Sequence, residues 1–159
     1  MLKLISKRKI KNNWEFYKKH IIRALGDTYG DKLDQGLKVI FGKLMSPFKP
    51  DMHLWTNEEY LILTNISVCE FTQRKSLMLY TFTRINWKHI ENIKTEEDLK
   101  KYKVEIFKIY KDFYDITSKF AKENDCYELV AFTPLDYIAR MSRAVQKDSS
   151  IMYFINYNI

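Results

Sequence analysis

All four glycines of the chain, Gly26, Gly30, Gly36 and Gly42, fall within its first 42 residues, so nothing from 43 to 159 is glycine. That absence narrows what the body of the chain can build. A loop that wraps a diphosphate with backbone N–H groups needs positions without a Cβ, where the main chain can approach the anion closely. P-loop and Rossmann fingerprints are excluded from residue 43 onward. The junction TRINWKHIENIKTEEDL, from Thr83 to Leu99, leads from a strand-like run into a helix-like one with no glycine between them. Its helix opens with Glu96, Glu97 and Asp98. Three carboxylates suit the positive end of a helix dipole but would repel a pyrophosphate placed there. The junction reads as a capped helix and not as a cofactor grip.

Periodicity divides the chain into elements. Trp14, Tyr17, Ile21 and Leu25 recur at helical spacing and predict a helix ending at Gly26, followed by a second from about Asp31 with Leu33, Leu37, Ile40, Phe41 and Leu44 on one face. That helix stops before Pro47. Extended runs follow at 53–56, 60–71 and 76–85, the last two joined by the polar turn TQRK as a hairpin with one buried face. Thr95 then opens a long helix in a capping-box-like start, with Leu99, Tyr102, Ile106, Ile109, Phe113, Ile116 and Phe120 on one face and Phe107, Tyr110 and Tyr114 as a second stripe, through to Asn124. Two stripes imply cover on more than one side. A strand at 127–132, a helix opened by Pro134 and running to about Val145, and a final strand at 151–157 complete the order α-α-β-β-β-α-β-α-β. This order predicts an α/β (α+β) fold with a mixed sheet flanked by helices.

The charge is unevenly placed. Residues 1–23 hold eight Lys or Arg against Glu15 alone, while the rest of the chain holds 19 of each sign. The expected organisation is a basic N-terminal arm over residues 1–12 and a single domain over 13–159, with the arm ordering only against a partner. Lys3, Lys7, Arg8, Lys9, Lys11, Lys18 and Lys19 are the candidate binding residues, for another protein or for DNA. No apolar run approaches the roughly 20 residues of a membrane span, and no signal-peptide pattern follows the basic start. Cys69 and Cys126 are too few for a structural zinc site and are expected as reduced thiols.

The element order, with HLW at 53–55, TNISVCEFTQRKSL at 64–77 and FAKENDCYELVAFTPLDYIARMSRA at 120–144, resembles the GNAT acetyltransferase fold. More narrowly, it is similar to small GNAT-like proteins of tailed bacteriophages, including internal virion proteins of short-tailed phages. The likeness spans roughly residues 50–145. Where that pattern has Gly-Cys this chain has Asp125-Cys126, and Pro134-Leu135-Asp136-Tyr137 stands at its Gly-Trp position. The resemblance implies a mostly antiparallel mixed sheet. It also implies an acetyl-CoA pyrophosphate loop, Arg/Gln-x-x-Gly-x-Gly/Ala, before the long helix. Here that place reads Arg84-Ile-Asn-Trp-Lys-His, followed by an insertion up to Thr95.

No catalytic residue, cofactor site or metal site is assigned. His20, His53 and His89 lack ligand spacing, Tyr137 is one of 11 tyrosines, Glu70 suits a solvated strand, and Cys126 has no His near it in sequence. The resulting expectation is a non-enzymatic virion protein, structural or internal, that binds other virion proteins in a symmetric assembly, acting in the virion and, during assembly, in the host cytoplasm. The alternatives are an acyltransferase holding CoA through Arg84 and Lys88, and a nucleic-acid-binding protein working through the basic arm.

Overall fold

The computed structural model describes residues 1–48, 51–86, 93–133, 153–154 and 157–158, with the side chains of 26–29 and of all residues after 131 left out of account. Lys3–Leu4 forms β1, Lys7–Asn12 α1, Trp14–Tyr29 α2 and Leu33–Leu44 α3. Met52–Thr56, Tyr60–Val68 and Lys75–Arg84 form β2, β3 and β4. Glu96–Glu123 is α4, and Cys126–Thr133, Tyr153–Phe154 and Tyr157–Asn158 are β5, β6 and β7. The strands lie in the order β1-β2-β3-β4-β5, with β6 and β7 both pairing β5. Every pairing is antiparallel except that of β4 with β5. Parallel neighbours need a long crossover, and α4 provides it. The result is the mixed, mostly antiparallel sheet flanked by helices that the element order predicts.

Alternation along the strands sends side chains to two cores. Leu54, Leu61 and Leu63 pack with Ile10, Tyr17, Ile21, Leu37 and Ile40 of the first three helices. Their neighbours Trp55 and Ile62 pack with Phe113 of α4. A hairpin with one buried face was expected at β3. Instead Tyr60 to Thr64 are buried without interruption, because helices cover both faces of this central strand. A bulge between Leu63 and Thr64 shifts the β3–β4 register, and the Trp55 indole N–H donates to the Thr64 hydroxyl at 2.9 Å within the core.

The long helix starts where the sequence places it. The Thr95 hydroxyl accepts from the Asp98 N–H at 3.1 Å and so caps α4. Its buried line is Ile106, Phe113, Thr117 and Ala121, while Tyr110 and Tyr114 of the second stripe are half-buried and Phe107 is exposed. Leu99 lies on the apolar face, yet is exposed. The reason is length: 28 residues of helix extend about 42 Å, whereas the 10 residues of β4 extend about 33 Å. The first turns of α4 therefore overhang the sheet.

The scarcity of glycine shows in the turns. Glu58, Gln73 and Asp125 take positive φ, at 78°, 55° and 58°, a conformation costing L-residues about 1–2 kcal/mol each. Asp125, which follows the α4 cap residue Asn124, occupies the place where the compared pattern has glycine. Where a glycine is present it is used: α2 runs past Gly26 and ends before Gly30, at φ 49°. The helix expected at 134–145 lies outside the described residues, as do Trp87, Lys88 and His89. The final strand expected at 151–157 is described at 153–154 and 157–158, where it pairs with β5.

Candidate interaction surface

Residues 1–12 were expected to stand apart as an arm that orders only against a partner; in the structure they are built into the fold. Lys3 and Leu4 pair with Thr56 and Trp55, and the Ile5 N–H donates to the Leu54 carbonyl at 2.8 Å, adding an edge to β2. Leu2, Ile5 and Ile10 are buried, the last at 2% exposure. Ser6 caps α1 from its side chain. An isolated basic segment would not order itself, but three apolar residues set among the lysines give it a core to join.

Burying one side of β1, α1 and α2 leaves the cations on the other. Lys3, Arg8, Lys9, Lys11 and Lys19 are exposed, and Lys7 and Lys18 are half-exposed. Lys7 Nζ donates to the Ser46 carbonyl at 2.6 Å and to that of Phe48 at 3.3 Å, so it ties α1 to the loop after α3. Lys18 approaches the exposed Glu15 carboxylate at 4.0 Å, a contact worth little in water. Exposed Phe16 lies among these cations, stacked edge-on against His20 at 4.8 Å between centroids. Burial holds the His20 imidazole below its ordinary pKa, and the nearby Arg23 and Lys19 charges push the same way. The expected set of seven cations is thus carried on folded backbone, Lys3 on β1, Lys7, Arg8, Lys9 and Lys11 on α1, and Lys18 and Lys19 on α2, with Lys7 partly committed to the fold.

The end of β4, the second candidate place, is also taken up by contacts within the fold. Arg84 Nη2 donates to Glu105 Oε1 at 3.0 Å, and its guanidinium lies over the rings of Tyr60 and Tyr102 at 5.5 and 5.9 Å. The Arg84 side chain is only 9% exposed. It is therefore engaged with α4 and does not face solvent as a phosphate ligand would. Tyr60 is fully buried, and desolvation pushes its hydroxyl well above the ordinary range. The residue pairs of β4 and β5 end at Leu79 and Ala131, although β4 runs on to Arg84. Near the last of those pairs, Tyr110, Phe113 and Tyr114 of α4 line a small apolar pocket of about 20 Å³ with Leu79 and Ala131, room for about one water.

The remaining candidates sit apart. Cys126 is buried among Leu77, Ala121 and Leu129. Cys69 is exposed near the β3–β4 turn beside exposed Glu70, its thiol held below the ordinary value by hydrogen bonds, first from the Thr72 hydroxyl. His53 is buried against Phe120. Among the described residues no three His, Cys, Asp or Glu gather as a metal site, and no helix is long and apolar enough to cross a membrane. Tyr137 lies outside the described residues. What sequence reasoning missed is the anchoring of the N-terminus: Leu2, Ile5 and Ile10 were visible, but a two-residue strand and a six-residue helix are too short to show a period.

No family model matches the chain, and no curated protein or solved structure matches it either.

Proposed function

We propose that this protein is a non-enzymatic component of a bacteriophage particle, built on a GNAT-like scaffold, that docks onto other virion proteins through the basic surface of α1 and α2. The observation that carries the reading is the burial of Leu2, Ile5 and Ile10 beneath exposed Lys3, Arg8, Lys9 and Lys11. Cations on elements already folded require no ordering of their backbone on binding, so a complementary acidic surface meets a partner whose main chain is already in place. The phage setting rests on the resemblance carried by residues 50–145. The non-enzymatic part is supported by Arg84, engaged with Glu105, and by the three carboxylates at the start of α4.

Two experiments test it. Reversing Arg8, Lys9 and Lys11 to Glu, all on the exposed side of α1, should leave the melting temperature unchanged yet remove the chain from purified particles, as read by mass spectrometry. Incorporation at wild-type levels would sink the docking surface. Separately, a rise in melting temperature with millimolar acetyl-CoA would show a cofactor site by mass action and favour the acyltransferase reading.

A further inference from the structure

Between α2 and α3 lies a cleft of about 350 Å³ lined by Trp14, Lys18, Asp34, Leu37, Lys38 and Phe41. Its size falls in the range of about 300–1,000 Å³ typical of small-ligand sites. The Trp14 and Phe41 rings meet at 4.6 Å between centroids and 50° between planes. Both rings are half-buried; Trp14 packs against the first core, Phe41 rests on Trp14, and Leu37 in the same lining is buried within that core. The aromatic wall is therefore fixed in place before any ligand arrives. On the rim, Lys38 is exposed and Lys18 is half-exposed, its weak contact with Glu15 leaving it able to turn. Asp34, also exposed, is the one acid in the lining.

These groups favour one ligand chemistry. An aromatic ring anchored on the core gains from another ring laid against it, and two ammonium groups beside it gain from anions attached to that second ring. An acidic peptide offers the anions without the ring. Inorganic polyphosphate makes no use of Trp14 or Phe41 and meets Asp34 as a like charge. A nucleotide supplies both parts, and the Asp34 carboxylate accepts from an exocyclic amine of the base. Inside a duplex the base faces are stacked on one another, so only an unpaired base can lie against the wall. The excess positive charge of residues 1–23, which include Trp14 and Lys18, extends the attraction along a strand leaving the cleft.

We infer that the α2–α3 cleft binds one unstacked base of single-stranded nucleic acid, with Trp14 as the stacking ring, Phe41 beside it, and Lys18 and Lys38 on the flanking phosphates. This goes beyond the docking reading and stands without it, since the substitutions Arg8→Glu, Lys9→Glu and Lys11→Glu leave the cleft intact.

The test titrates the full chain with a short oligodeoxycytidylate and follows tryptophan fluorescence, with anisotropy of a labelled strand as the second readout. Quenching is expected in the wild type. Trp14→Phe keeps a stacking ring and should bind the labelled strand nearly as well while losing the quenching, which places the base on Trp14. Lys18→Glu combined with Lys38→Glu should lower affinity at least tenfold without changing the melting temperature. Two phosphate contacts on a single strand predict about a sevenfold loss of affinity between roughly 50 and 200 mM salt. Quenching that survives in Trp14→Phe, affinity unmoved by the double reversal, or equal competition from polyglutamate or duplex DNA would overturn the site.

Discussion

Residues 1–23 and the opening turns of α4, residues 96–105, are both helix-rich and dense in charge, yet only the first is tied to the core. In the N-terminal stretch Leu2, Ile5, Ile10, Tyr17 and Ile21 are buried. Between Glu96 and Glu105 no residue is buried, and the helix is held instead by its Thr95 cap, by the pairs Lys100–Glu96 and Lys101–Glu97, and by Arg84 on Glu105. The two exposed i,i+4 pairs contribute only about 0.3–0.5 kcal/mol each. Charge density therefore does not decide whether a segment belongs to the fold. What decides it is whether the apolar residues among the charges meet a surface: Ile10 packs with the sheet, whereas Leu99 stays exposed.

The strongest way to break this contrast is to truncate one apolar residue in each region. Ile10→Ala should cost about 2–5 kcal/mol of unfolding free energy, the range for a buried aliphatic side chain, while Val104→Ala on the exposed face of α4 should stay within about 0.5 kcal/mol. Equal effects in urea denaturation would mean that the N-terminal stretch is not anchored. A smaller effect is expected at the ion pair that ties the start of α4 to β4. Glu105→Ala leaves the largely buried Arg84 without that partner and should cost about 1–2 kcal/mol, the value for a charged hydrogen bond reduced because Glu105 is partly exposed. Amide exchange should then quicken over residues 98–105 and remain slow over 113–121. Unchanged exchange would mean that the overhang is held elsewhere.

The smallest effect belongs to His20 within the basic surface. Its native pKa is depressed below the ordinary 6.5 by burial, then by Arg23 and Lys19, so the folded state prefers the neutral ring. That contribution to stability is present above pH 6.5 and is lost as the pH falls through the depressed native value. Wild-type stability should decline on acidification below pH 6.5, and His20→Phe should flatten that part of the decline. Parallel curves for the two proteins would remove His20 as the cause.

Much of the architecture could be read along the chain because its signals are local. The Thr95 cap lies three residues from Asp98, and Leu37, Ile40 and Leu44 share one helix face within two turns. The candidate surface was legible only in part: the cations were identified, but not that the stretch carrying Lys3 to Lys11 is folded onto β2, since the Ile5–Leu54 hydrogen bond joins segments far apart in sequence. Arg84 was a candidate phosphate ligand until the fold set Glu105 beside it from 21 residues away. The wall of Trp14 and Phe41 likewise exists only because α2 and α3 pack side by side.

By itself, the sequence determined that no glycine-lined phosphate loop could form after residue 42, that the long helix would start at Thr95, and that the positive charge would gather near the N-terminus. Those properties depend on residue type and on neighbours a few positions away. Only the tertiary structure decided that the basic stretch is folded, that Arg84 is engaged, and that two aromatic rings face a shared cleft. Each of these depends on sheet register and helix packing, which bring together residues that no local period relates.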